Sequence, residues 1–81
     1  MELKQLRYNM EEIAEEAANV LHNLTRGEAY TERELYQSIQ HLRHHVNKAW
    51  NARNVSIEAA EEASADQQAQ WGLPPADVRL I

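Results

Sequence analysis

Three of the four histidines in this sequence cluster in one segment, where they could support metal or proton chemistry. His41 and His45 are four positions apart, so on a helix both imidazoles could bind one zinc or nickel ion. A metal site also needs a third ligand, and further groups that orient the ligands. Glu34 or Gln37 could contribute to such a site only partially. We therefore interpret His41 and His44 as surface residues and expect no metal and no other cofactor. His45, nearer the apolar stripe, could tune an interface by protonation near its usual pKa of about 6.5.

Acidic residues form two groups that could hold magnesium. They are Glu11, Glu12, Glu15 and Glu16 near the start, and Glu58, Glu61, Glu62 and Asp66 near the end. These groups resemble the paired acidic helices of MazG-like all-α nucleotide pyrophosphohydrolases, which hold magnesium inside a helical bundle. The resemblance covers only those two stretches, and about forty residues separate them. A metal-dependent bundle hydrolase is therefore an alternative, while a solvated acidic face is the interpretation we favour.

Nucleophilic catalysis has little support in the sequence. The serines at positions 38, 56 and 64 lack the glycine-flanked context of a nucleophile elbow. Two glycines in the whole chain are too few for a loop that binds phosphate groups. We expect that the protein is not an enzyme, with no catalytic residues.

Basic and aromatic residues alternate along the second predicted helix, as in some proteins that bind single-stranded nucleic acids. The residues are Arg33, Tyr36, Arg43, Lys48, Trp50 and Arg53. However, the net charge of −5 opposes phosphate binding. Arg43, Trp50 and Arg53 also lie beside the apolar stripe, where helix packing explains them equally well. Weak single-stranded nucleic-acid binding is a second alternative, and we consider nucleic acid an unlikely partner.

A turn around Gly27 must bring the acidic first segment of the chain next to the segment that carries the three clustered histidines. Thr31 and Glu34 form a capping box, and Tyr30 with Leu35 forms the matching hydrophobic staple. Gly27 lies just past the end of the preceding helix, where the chain often adopts a left-handed backbone conformation that glycine accommodates most easily. The sequence therefore predicts two long helices joined by a short connection, which makes them antiparallel.

Both long helices carry heptad stripes of apolar residues, which predict a helical hairpin. The first stripe is Leu3, Leu6, Met10, Ile13, Ala17, Val20 and Leu24; the second is Leu35, Ile39, Leu42, Val46, Ala49 and Arg53. Ala14 and Leu21 widen the first face, and Tyr36 and Trp50 widen the second. Faces this broad indicate that each helix contacts more than one neighbour.

The second helix is expected to end near residues 54–56, where Ser56 could cap another helix. We predict helices over about 2–26, about 31–54 and about 56–70, although residues 31–70 could form one continuous helix. Gly72 and the pair Pro74-Pro75 then predict an extended tail over 71–81. The tail carries several apolar residues, so it either packs back on the bundle or docks on a partner.

The composition predicts one all-α domain over residues 1–81, because helix-favouring residues dominate and glycine and proline are scarce. There are no cysteines, so disulfides cannot stabilise a chain of only 9.4 kDa. Oligomerisation is therefore expected. No apolar run is long enough to span a membrane and no signal peptide is evident, so we expect a cytoplasmic protein without a membrane partner.

Taken together, the sequence predicts an antiparallel helical hairpin with a third helix or helical extension and an extended C-terminal tail, completing a helical bundle as a homodimer. We expect a small protein–protein interaction module, such as an adaptor, assembly factor or inhibitor. Its partners are expected to be itself and another, unidentified protein. The predicted interface residues are Tyr36, Arg43, Trp50, Arg53, Trp71, Leu73, Val78, Leu80 and Ile81.

Overall fold

The computed structural model describes residues 1–75, and all regular structure in this range is helical. The elements are α1 (Leu3–Asn23), a 3-10 turn (Leu24–Ala29), α2 (Glu32–Asn51), α3 (Ile57–Glu62) and α4 (Ala65–Trp71). The backbone N–H of Glu2 donates to Arg53 at one end of the α1–α2 pair, and Arg26 pairs with Glu34 at the other. The two long helices are therefore antiparallel, and the all-α prediction is confirmed.

The capping box at the start of α2 is present as predicted. The Glu34 N–H donates to Thr31 Oγ1 over 3.2 Å, and the Thr31 N–H donates to Glu34 Oε2 over 3.4 Å. Gly27 has φ 59° and ψ −130°, a backbone conformation that side chains disfavour. Helix α1 is shorter than the expected 2–26, because its last turn tightens into the 3-10 segment before Gly27.

The expected break after the second helix is also present, but the following segment differs from the prediction. Ser56 caps α3 by accepting a hydrogen bond from the Ala59 N–H over 3.1 Å. Where one helix over about 56–70 was expected, there are two, separated by the extended residue Ala63. Ser64 accepts from the Gln67 N–H over 3.1 Å and so starts α4. A serine that caps a new helix competes with continuation of the old one.

The two long helices do not meet along the centres of their apolar stripes. Most of the buried residues on these two helices are polar, and Ala49 of the α2 stripe is the buried apolar one; the polar ones are Gln5 and Asn9 on α1 with Ser38, His45 and Lys48 on α2. At 100° per residue these positions lie beside the apolar stripe rather than on it. Leu6, Ile13 and Val20 at the inner edge of the α1 stripe are half-buried, whereas Leu3 and Met10 are exposed.

Helix α4 packs against α2 on the side away from the apolar stripes. The Asn51 side chain donates to the carbonyl oxygens of Trp71 and Leu73 over 2.9 and 2.8 Å, and Asn47 donates to Gly72 over 2.9 Å. These amide contacts attach the start of the tail to α2. Residues Val78, Leu80 and Ile81 of the predicted tail lie outside the described residues. Within residues 1–75, no helix has the length and apolar character needed to cross a membrane.

Candidate functional site

One side of the hairpin is an apolar surface, which we call the apolar face. It comprises Leu3, Met10, Leu21, Leu24, Leu35, Ile39 and Val46, whose residues are each 38–69% exposed. On an antiparallel pair, the helical periodicity places these α1 and α2 residues on the same side of the hairpin. Helices α3 and α4 do not cover this side, because α4 packs on the opposite side of α2. The apolar face is a large apolar patch on a small chain.

None of the six predicted interface residues that the structure describes is among the seven residues of the apolar face. Tyr36 is 64% exposed, and Arg43 lines a shallow cleft between α2 and the start of the tail. The Arg53 guanidinium lies over the Trp50 ring at 3.8 Å from its centroid. Trp71 packs near α2, and Leu73 is exposed. The structure therefore brings Trp50 and Arg53 together but spreads the remaining residues over two sides of the molecule.

A second feature lies between the long helices, and we call it the polar cluster. It comprises Asn9, Glu12 and Glu16 of α1 with His41 and His45 of α2. The two histidine Nε2 atoms are 3.1 Å apart. A Glu12 oxygen is 3.9 Å from His45 Nε2, and a Glu16 oxygen is 3.6 Å from His41 Nδ1. Within residues 1–75, Glu12, His41 and His45 are the group whose ligand atoms could share a metal ion.

The proton position on His45 follows from its contact with Asn9. The Asn9 Nδ2 group donates to the Gln5 carbonyl oxygen over 3.1 Å, so the amide oxygen must point toward His45. That oxygen accepts from His45 Nδ1–H over 2.9 Å. His45 therefore carries its proton on Nδ1, which leaves a lone pair on Nε2. Asn9 is fully buried and His45 nearly so, so this contact holds the imidazole in place.

Burial and most of the charges around His45 favour its neutral form. Burial lowers the pKa of His45, and the neighbouring His41, His44 and Lys48 lower it further, while Glu12 on α1 acts in the opposite direction. The pKa of His44 is also lowered, mainly by burial. Neutral imidazole is the form that can accept a hydrogen bond or bind a metal ion.

Lys48 is buried beside the polar cluster, with its ammonium group 5.8 Å from the ring centroids of both Tyr8 and Trp71. Burial lowers the pKa of Lys48. Lys48 therefore does not belong to an exposed basic stripe, which removes one of the four basic residues considered for nucleic-acid binding. It lines a cleft of about 430 Å³, together with Gln5, Tyr8, Ile57, Ala60, Glu61 and Gln68.

The acidic residues of the hydrolase alternative have different surroundings. Glu11 and Glu15 are exposed on α1, whereas Glu12 and Glu16 face the histidines of α2. Glu58, Glu61, Glu62 and Asp66 are exposed residues of α3 and α4. In the described part of the chain, the acidic residues of α1 form no metal-binding group with those of α3 and α4.

Sequence reasoning did not single out Asn9, and it treated Glu12 and Glu16 only as part of the acidic alternative. A usable signal was present: Gln5, Asn9, Glu12 and Glu16 recur with spacings 4, 3 and 4, and Ser38, His41, His45 and Lys48 recur with spacings 3, 4 and 3. These are polar stripes that run parallel to the apolar ones. Two facing polar stripes are the pattern from which the polar cluster could have been predicted.

Comparisons of the chain with protein-family models, with curated proteins and with solved structures found no match. The features that bear on function are therefore the apolar face and the polar cluster.

Proposed function

We propose that this protein is a small, non-enzymatic interaction module that binds through its apolar face. The occupant we propose is a second copy of the chain, so that two hairpins form an antiparallel four-helix bundle. The observation that carries the proposal is the apolar face itself, whose seven residues lie on one side of the hairpin and are each 38–69% exposed.

The free energy available from this surface is large enough for stable association. Complete burial of an aliphatic side chain of this size is worth about 1.5–3 kcal/mol. Since about half of each residue remains exposed, covering seven of them supplies roughly 5–10 kcal/mol per chain and twice that per dimer. Association costs about 4–15 kcal/mol in lost translational and rotational freedom, and more for ordering side chains, so covering both faces supplies free energy of the size that a dimer requires.

The arrangement of charge favours a second copy as the occupant. Residues 1–28 carry 3 basic and 6 acidic side chains, while residues 29–54 carry 4 basic and 2 acidic ones. In a two-fold bundle, α1 of one chain can lie against α2 of the other, which places opposite net charges side by side. No charged residue interrupts the α1 stripe between Leu3 and Leu24, and the α2 stripe is charged only at its end, at Arg53, so the contact itself is mainly apolar.

The proposal can be tested by measuring the mass of the protein in solution across a dilution series, using light scattering after size-exclusion chromatography. We expect about twice the chain mass of 9.4 kDa for the natural sequence. Leu21→Glu places a charge in the apolar face and should give a monomer, because a carboxylate buried in an apolar contact is strongly unfavourable.

Asn19→Glu is the matched control. Asn19 is also exposed on α1, two positions away, but its helical position points away from the apolar face. The same charge there should leave the mass unchanged, and circular dichroism should show that both variants keep their helix content. A natural protein that remains monomeric at all concentrations, or equal dissociation in both variants, would contradict the proposal.

A further inference from the structure

The polar cluster has the geometry of a metal centre, and we propose that it binds one Zn²⁺ ion per chain. The ligands are His41 Nε2, His45 Nε2 and a carboxylate oxygen of Glu12. The ion would connect α2, which supplies both histidines, to α1. This inference is independent of the proposed self-association, because the polar cluster lies between the long helices and not on the apolar face.

The distances between the ligand atoms suit tetrahedral zinc. With Zn–N distances of about 2.0–2.1 Å and tetrahedral angles, neighbouring ligand atoms lie about 3.3–3.4 Å apart. The two Nε2 atoms are 3.1 Å apart, and the Glu12 oxygen is 3.9 Å from His45 Nε2. All three ligand atoms lie within 4.8 Å of one another. Small side-chain rotations would therefore complete the coordination.

The hydrogen bonds around the histidines prepare them for a cation. Asn9 accepts the proton of His45 Nδ1, which directs the Nε2 lone pair into the cluster. The Glu16 carboxylate lies 3.6 Å from His41 Nδ1, where it could support a proton on that nitrogen once a metal ion binds His41 Nε2. The two Nε2 atoms are at hydrogen-bond distance, 3.1 Å, so His41 Nε2–H donates to the lone pair of His45 Nε2, and a metal ion would take the place of that proton. Partners of this kind support most histidine ligands of zinc.

The electrostatics point in the same direction. Glu12 and Glu16 bring two negative charges to the cluster, and a divalent cation would neutralise them. Two histidines and one carboxylate form a ligand set typical of zinc. The His41 side chain is 45% exposed, so the ion has an entry path and a fourth position open to water.

The first experiment is a calorimetric titration of the untagged 81-residue chain with zinc chloride, after removal of metals by a chelator. We expect one zinc per chain. Zinc at a hundredfold excess over its dissociation constant should raise the melting temperature by roughly 10–20 °C, since it binds only the folded chain. Replacing zinc with cobalt should give the intense visible absorption of tetrahedral Co²⁺, which reports the coordination directly.

Variants separate this site from adventitious binding to surface histidines. Glu12→Gln removes the α1 ligand with little change in volume, and His41→Gln removes an exposed α2 ligand. Each should weaken zinc binding by more than about 100-fold, beyond the usual loss on removing a supporting group. His22→Gln, at an exposed histidine remote from the cluster, is the control and should bind normally.

Three outcomes would overturn the inference. The natural chain could fail to bind zinc in the titration, Glu12→Gln could bind as tightly as the natural chain, or His22→Gln could lose binding as strongly as His41→Gln. Circular dichroism of each variant shows whether a loss of binding comes from unfolding. If Glu12→Gln unfolds, His41→Gln alone still decides the question, because its exposed side chain contributes little to packing.

Discussion

The hydrogen bond between Asn9 and His45 links the two long helices at their buried centre, so its removal should measurably destabilise the protein. In Asn9→Ala, the His45 Nδ1–H group loses its acceptor while His45 itself remains only 7% exposed. An unsatisfied buried donor costs about 1–3 kcal/mol. A decrease of about 2 kcal/mol in the free energy of unfolding would lower the melting temperature of a chain this size by roughly 8–16 °C.

The assay is urea unfolding followed by circular dichroism, with a chelator present and at one fixed protein concentration, because association and metal binding both change apparent stability. Asn19→Ala is the control, since it removes the same side chain from an exposed position of the same helix. A surface substitution of this kind should change the free energy of unfolding by no more than about 0.5 kcal/mol.

A double-mutant cycle tests the physical reason for the effect. If the cost of Asn9→Ala arises from losing its hydrogen bond with His45, the substitution should lower the free energy of unfolding much less in a His45→Leu background. No buried donor remains to be satisfied in that background. We expect an interaction energy of about 1 kcal/mol or more. Equal costs of Asn9→Ala in both backgrounds, within about 0.5 kcal/mol, would refute the reasoning, because the two side chains would then act independently.

Three further predictions concern the turn, the helix cap and the histidines. Gly27→Ala should lower the free energy of unfolding by about 1–2 kcal/mol in the same assay. The φ angle of 59° is strained for alanine, and no atom lies within 4 Å of the added methyl group to make a compensating contact. Thr31→Ala should cost about 1 kcal/mol in that assay by removing the cap of α2. Stability should also fall as the pH is lowered from 7 to 5. The lowered pKa values of His44 and His45 mean that the unfolded chain binds more protons below pH 6.5, the ordinary histidine value. His45→Gln should flatten that dependence in urea titrations repeated across this range.

The local elements of the fold could be predicted because short-range chemistry determines them. Thr31 and Glu34 are three residues apart and form the capping box by themselves, and Ser56 caps α3 in the same way. The division of residues 57–71 was missed because Ala63 is a good helix former and carries no signal for an extended backbone. Only the capping hydrogen bond of Ser64 reveals the break, and a serine within a helix-favouring segment is a weak signal.

The candidate site depended on long-range geometry, which the heptads could not specify, although they correctly predicted the helical hairpin. Periodicity shows that each long helix has an apolar side, but not which partner that side contacts. The helices instead meet along Asn9 and His45, which rotates the apolar stripes toward solvent. The third metal ligand was sought on the helix that carries the histidines, at Glu34 or Gln37. It lies instead on α1, at Glu12, because only the pairing of the helices brings it near.

The placement of polar and apolar residues explains why both proposed binding events would stabilise this chain. The buried apolar residues in the described range are three alanines, Ala49, Ala52 and Ala60, and alanine burial contributes little hydrophobic free energy. The largest fully buried side chain in that range is Asn9, whose contribution depends on complete hydrogen bonding. A hairpin with so small an apolar core gains most from covering its exposed leucines, which a second copy would do. It also gains from a cation in the polar cluster, which would replace the hydrogen bond between the two histidines with a cross-link between the helices.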